Sequence, residues 1–122
     1  MVFVQATLTP GFAVVAEAVG LENAIATADL VLTGEGSVDG QLAQGKAVFG
    51  VTTLAAKYNK PVVALGGAVL PGASALYAHG MTAALSITPG PLSLAACMDD
   101  AYALLTKAAE TAMRLILLGS RI

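Results

Sequence analysis

Three short apolar runs, each parted from the next by a segment of helical period, constrain this chain more than any other feature. Leu30-Val31-Leu32, Val62 to Leu65 and Ala83 to Ile87 are brief and mostly branched. That is the pattern of strands buried on both faces. Between the first two, Val51, Leu54, Ala55 and Tyr58 recur at helical spacing, which predicts a helix from about Lys46 to Tyr58. Pro71 to Ala78 reads as a short helix closed by Gly80. Ahead of the first run, Thr9 and Pro10 mark a helix start, with Phe12, Val15, Ala16 and Val19 on one face. Gly20 ends that helix, and Leu21 to Thr27 reads as a second short one. After the third run, Ser93 is a candidate cap. Ala101, Leu104, Leu105, Ala108, Ala112, Leu115 and Ile116 then form one apolar stripe. Asp99 and Asp100 read as solvated early-helix acids that complement the helix dipole.

Strand alternating with helix predicts the α/β class: a short parallel sheet of about three strands between helices, three-layered and Rossmann- or flavodoxin-like. The crossovers should be right-handed. Residues 1–122 read as a single unit without repeat or linker. Three strands are few for a free-standing sheet of this class, which points to a piece of something larger or to an oligomer. Composition agrees. Only 11% of residues are charged and 57% are hydrophobic, so a disordered chain is excluded. So few charges suit a chain that hides surface against a missing portion or a second copy.

The same numbers exclude other classes. Six Lys and Arg against eight Asp and Glu cannot build a basic patch, so no nucleic acid partner is expected. Mean hydropathy is +0.78, yet no apolar stretch reaches the ~18 to 20 residues of a membrane span. The single cysteine, Cys97, excludes a disulfide framework and a Cys-based zinc site. Met1 to Pro10 has no cationic n-region, so a cytoplasmic location is expected.

One segment exceeds its connecting role. With a strand ending at Thr33 and a helix starting near Lys46, the link runs Gly34-Glu35-Gly36-Ser37-Val38-Asp39-Gly40-Gln41-Leu42-Ala43-Gln44-Gly45. Such links usually take roughly 2 to 6 residues. In an open parallel sheet, ligands bind at the carboxyl ends of the strands, where this link begins. Gly34, Gly36, Gly40 and Gly45 permit close backbone approach to an anion. Lys46 brings a point charge to the start of a helix. Glu35 and Asp39 can hold Mg²⁺ or accept a hydroxyl proton. These are components of phosphoryl transfer. Gly40 to Lys46 also fits G-x-x-x-x-G-K, but Ala47 replaces the Ser or Thr that binds the metal in a P-loop. A solvated, glycine-rich connector is the plain alternative.

The stretch Ala28 to Gly36, followed by Asp39, Gln41, Gly45-Lys46 and Gly50-Val51, resembles the T-G-E-G-x-x-D-x-Q-x-x-x-G-K-x-P-x-G-V signature of the bacterial glycerate kinase family. Ile87-Thr88-Pro89-Gly90-Pro91-Leu92-Ser93-Leu94 is similar to the family's I-x-P-G-P-x-S-L. Gly11 to Leu21 also fits the region just upstream, so the resemblance covers nearly the whole chain. It implies a kinase moving the γ-phosphate of ATP to a hydroxyl of D-glycerate with Mg²⁺. It also implies a longer enzyme of two α/β domains, of which this chain is the C-terminal part, inactive alone and packed on a missing N-terminal portion. A non-catalytic nucleotide- or anion-binding module and a structural interaction piece are the alternatives.

The resemblance assigns roles by position. Lys46 contacts phosphate, while Asp39 and Glu35 share the work of metal ligand and base. Gln41, Gly45 and the backbone at Gly34 and Gly36 orient the nucleotide, and Gly66-Gly67 line the same crevice. Ser37 stands in this loop where the family commonly has a basic residue, and Val48 where it has proline. His79 and Cys97 read as capping and core residues. Tyr58, Tyr77 and Tyr102 read as packing residues. Ser74 and Ser86 lack a histidine partner for nucleophilic chemistry.

Overall fold

The computed structural model describes residues 11–40 and 47–122. The elements run α1 (Gly11–Val19), α2 (Leu21–Thr27), β1 (Val31–Val38), α3 (Ala47–Lys57), β2 (Val62–Val69), a 3₁₀ segment (Pro71–His79), β3 (Ala83–Ser86), α4 (Leu94–Asp99) and α5 (Ala101–Gly119). The three strands lie in the order β1-β2-β3 and are all parallel. The expected α/β class and strand number are thus present. The expected helix start at Thr9 and Pro10 lies outside the described residues.

Two strands are longer than their apolar runs. β1 does not stop at Thr33 but continues through Gly34-Glu35-Gly36-Ser37 to Val38. β2 likewise continues through Gly66-Gly67 to Val69. The two extensions pair with each other: Gly34 opposite Leu65, Glu35 opposite Gly66, Ser37 opposite Ala68 and Val38 opposite Val69. Glycine and serine have weak strand preference on their own. Here each strand supplies the other's hydrogen-bonding partner, and missing side chains let the backbones close up. The expected long link after Thr33 is therefore half strand, and the true connection to α3 begins at Asp39.

The core lies mainly between the sheet and one helical layer. Val31, Val62, Val51, Ala55 and Ile25 form one buried cluster, with Phe12, Leu54 and Tyr58 against it. Val38, Ala64, Val48, Ala73, Leu76 and Met81 form a second, nearer the carboxyl ends of the strands. On the opposite face α5 packs over β2 and β3. Gly80 closes the 3₁₀ segment at φ 112°, a left-handed conformation that suits glycine.

Other expectations need correction. The single last helix is two, broken at Asp100, whose φ of −104° and ψ of 16° leave the helical region. Asp99 closes α4, whereas Asp100 is the N-cap position of α5, so of the two acids only Asp100 stands at a helix start. Ser93 does cap α4, its side chain accepting from the Ala96 N–H at 3.1 Å. Within the long stripe of α5 only Ala112 is buried, and Leu105 and Leu115 are exposed. Tyr77 and Tyr102 are exposed instead of packed. Lys57 at the end of α3 and Tyr58 just past it both donate to Glu22 Oε1 of α2, at 2.5 and 2.6 Å. The Lys57 bond first, then that of Tyr58, holds the Glu22 carboxyl below its usual range, and the bond to Glu22 raises the Lys57 ammonium above its own. Both ends of this tie are exposed, so it orients α2 more than it stabilises the fold.

Thr52 carries a defect. It is fully buried in α3, and its Oγ1 finds no hydrogen-bond partner among the described residues. Burying an unpaired hydroxyl costs about 1–3 kcal/mol. Thr52→Val keeps the shape and removes that cost, so it is expected to raise the urea midpoint, by about 1 kcal/mol of stability. An unchanged or lower midpoint would show that the hydroxyl is satisfied in solution.

Candidate functional site

The paired ends of β1 and β2 set the site. A Cβ on Gly67 would stand 2.7 Å from the Gly36 carbonyl oxygen, and one on Gly66 would stand 2.8 Å from Val38 Cγ2. Gly34 allows a similar close approach, to the Leu65 carbonyl oxygen. Beyond them the chain is pinned. Val38 is 1% exposed and its carbonyl accepts the Leu70 N–H at 2.9 Å. Gly40 meets the backbone of Gly72 so closely that no side chain fits. Asp39 is held between these two anchors, just past the carboxyl end of β1.

Two hollows open there, on opposite sides of the strand ends. The smaller is lined by Glu35, Ser37, Val38, Asp39, Val48, Phe49 and Leu76, and its volume of about 10 Å³ suits one water or a small ion. Glu35 and Asp39 are both half-buried. His79 does not reach the site. It makes an edge-to-face contact with Phe49, centroids 5.5 Å apart. The larger hollow, about 570 Å³, is lined among others by Gly36, Ser37, Gly67, Ser86, Thr88 and Leu92. Ser37 borders both.

Sequence reasoning gave no role to Ser86 and Thr88. Thr88 Oγ1 donates to the Gly67 carbonyl at 2.9 Å, and Ser86 Oγ donates to the same oxygen at 3.4 Å. Ser86 Oγ also accepts the Thr88 N–H at 3.1 Å. These hydroxyls fix β3's end against β2's end and so shape the larger hollow. Cys97 is not core. It is half-buried on the wall of that hollow, its sulfur 3.6 Å from Thr88 Oγ1. The Ile87-to-Leu94 motif held the signal, because Pro89 cannot donate to a strand ladder and so leaves Ser86 and Thr88 at the end of β3.

The structure brings Glu35, Ser37 and Asp39 together, and Gly36, Ser37 and Gly67 together. Gly34 lies earlier along β1 and lines neither hollow. Gly66 is a packing position whose carbonyl accepts the Ile87 N–H at 2.8 Å. Gln41, Gly45 and Lys46 lie outside the described residues. Among the described residues no group of three or more His, Cys, Asp or Glu converges as a metal cage. None of the described helices is long and apolar enough to cross a membrane.

Comparison with known proteins decides the family. The model of the glycerate kinase family matches residues 1–117. The chain belongs to the glycerate kinase family. It is 39% identical over 102 residues to a glycerate kinase of Bacillus subtilis, covering 84% of this chain and 26% of that protein. It is 32% identical over 121 residues to the glycerate 2-kinase of Escherichia coli, covering 99% of this chain and 32% of that protein. A solved structure from Salmonella typhimurium LT2, assigned as glycerate kinase 2, superposes with a TM-score of 0.71 at 33% identity. That match covers 96% of this chain and 29% of the other. The chain thus spans between a quarter and a third of the length of these relatives.

Proposed function

We propose that this chain supplies the strand-end portion of an enzyme that transfers the γ-phosphate of ATP to a hydroxyl of glycerate. One observation carries the reading: Glu35 and Asp39 line one small polar hollow at the carboxyl ends of parallel strands, the place where such sheets bind ligands. Two carboxylates suit Mg²⁺, which is usually held by one or two of them together with substrate phosphates. The hard oxygen donors of these side chains fit that ion. When bound, Mg²⁺ would neutralise charge on the phosphate oxygens. One carboxylate would hold the cation, and the other would accept the proton of the attacking hydroxyl. Lys46, which precedes α3 in the sequence, would add positive charge for the phosphates. The larger hollow across Ser37 gives the rest of the nucleotide an apolar wall.

By itself the chain is expected to bind without turning over, since it spans a third or less of relatives named as glycerate kinases. Titration calorimetry with Mg²⁺–ATP on the isolated chain tests the binding half. Heat of binding that weakens about tenfold in Lys46→Ala supports the reading, in line with loss of one charge-assisted phosphate contact. No heat from the unaltered chain removes its basis. Rapid glycerate phosphorylation by the chain alone would show that the relatives' remaining length is dispensable.

A further inference from the structure

Among the described residues, the sheet is covered on one face only at β1. Val31 and its register partner Val62 point to the α3 side and are 9% and 0% exposed. The next pair, Leu32 and Val63, points to the other side. There Val63 is 6% exposed, whereas Leu32 is 47% exposed. The cause is width. A helix is roughly 10 Å across and strands stand about 4.8 Å apart, so one helix covers two strands. α5 takes β2 and β3. β1 is left without a described helix on that side.

α5 itself is bare on the flank that borders this gap. Its other flank closes on β3's outer side, where Leu104, Lys107, Ala108 and Thr111 face Leu85, Ile87 and Pro89. Tyr102, Leu105, Ala109 and Met113 run along the flank turned away from β3, at i, i+3, i+7 and i+11. Tyr102, Leu105 and Met113 are exposed, and this row carries no charge. The charged residues Lys107, Glu110 and Arg114 lie elsewhere on the helix. An uncharged helix flank beside an uncharged strand face is a slot one helix wide.

We propose that this slot is filled by a helix from the part of the enzyme that the relatives possess beyond the matched portion, lying beside α5 over β1. The occupant is argued from length. The Salmonella structure holds the same fold within 29% of its chain, so more than two thirds of that protein packs around or beyond this unit. β1 also has no strand on its outer edge among the described residues, so the added polypeptide can extend the sheet and cover it in one connection. This inference rests on family membership and not on the catalytic reading.

Thiol labelling tests it. In a Cys97→Ser background, Leu32→Cys and Leu105→Cys report on the slot and Lys107→Cys on the opposite flank. The chain is compared alone and fused into Escherichia coli glycerate 2-kinase in place of the matched region. All three sites should label at similar rates in the isolated chain. In the fusion, Leu32→Cys and Leu105→Cys should slow at least tenfold while Lys107→Cys does not. Should the fusion be insoluble, the same labelling is run with the remainder of that kinase co-expressed as a separate polypeptide. Equal labelling with the remainder present overturns the proposal. So does protection in the isolated chain that grows with its concentration, because a second copy then fills the slot. Labelling needs no turnover, so a protected slot in an inactive fusion would sink the kinase mechanism and leave this inference standing.

Discussion

Gly66→Ala is expected to destabilise the fold by about 3 kcal/mol, while Gly36→Ala, its near neighbour across the strand pair, changes stability by less than about 1 kcal/mol. The contrast comes from what each new methyl meets. At Gly66 it would lie 2.8 Å from Val38 Cγ2 and 2.9 Å from the Ala68 carbonyl oxygen. Neither can yield easily. Val38 is buried at 1% exposure and belongs to the second core cluster. The Ala68 oxygen is backbone within β2. The Gly66 carbonyl is itself fixed by the Ile87 N–H. At Gly36 no described atom lies within 4 Å of where a Cβ would stand, and φ is not positive there. Urea unfolding of both variants at constant m-value reads the difference. Equal midpoints would show that the ends of β1 and β2 are not closely paired in solution. The hollow holding Glu35 and Asp39 would then lose its frame.

That pairing also marks where the sequence stops being readable. The class and the three strands follow from runs such as Val62 to Leu65, whose apolar residues announce burial whatever surrounds them. Gly34 to Ser37 announces nothing of the kind. Its strand character depends on Leu65 to Ala68 lying alongside, a contact between segments about thirty residues apart that local propensity does not encode. The same limit explains α5. Its apolar stripe shows that the helix must bury a face, but not that one flank meets β3 while the other leaves Tyr102, Leu105 and Met113 exposed. The break at Asp100 was hidden because no glycine or proline marks it, and Asp99-Asp100 reads equally well as a pair of early-helix acids. At the site, Glu35 and Asp39 stood out as acids in an apolar chain. Ser86 and Thr88 did not, since ordinary hydroxyl residues gain meaning only from the Gly67 carbonyl they hold.

Asp39→Asn is expected to lower kcat of the assembled enzyme, this chain joined to the rest of a glycerate kinase, by about 10²- to 10⁴-fold. Asparagine keeps the size of the side chain and its carbonyl acceptor but removes the charge and the basic oxygen. The anchors on either side, the Val38 carbonyl bonded to Leu70 and Gly40 against Gly72, are untouched. The fold should therefore persist. Glu35→Gln should cost a comparable amount, because Glu35 lines the same hollow. Which function each acid serves is read from how the losses respond to conditions. The variant that has lost the cation ligand should recover part of its rate as Mg²⁺ is raised. The variant that has lost the base should not. The double variant should be little worse than the weaker single one, since two groups serving one transition state do not add independently. Near-normal kcat in both single variants would place the proton acceptor outside this hollow. The two carboxylates would then be loop-bracing acids.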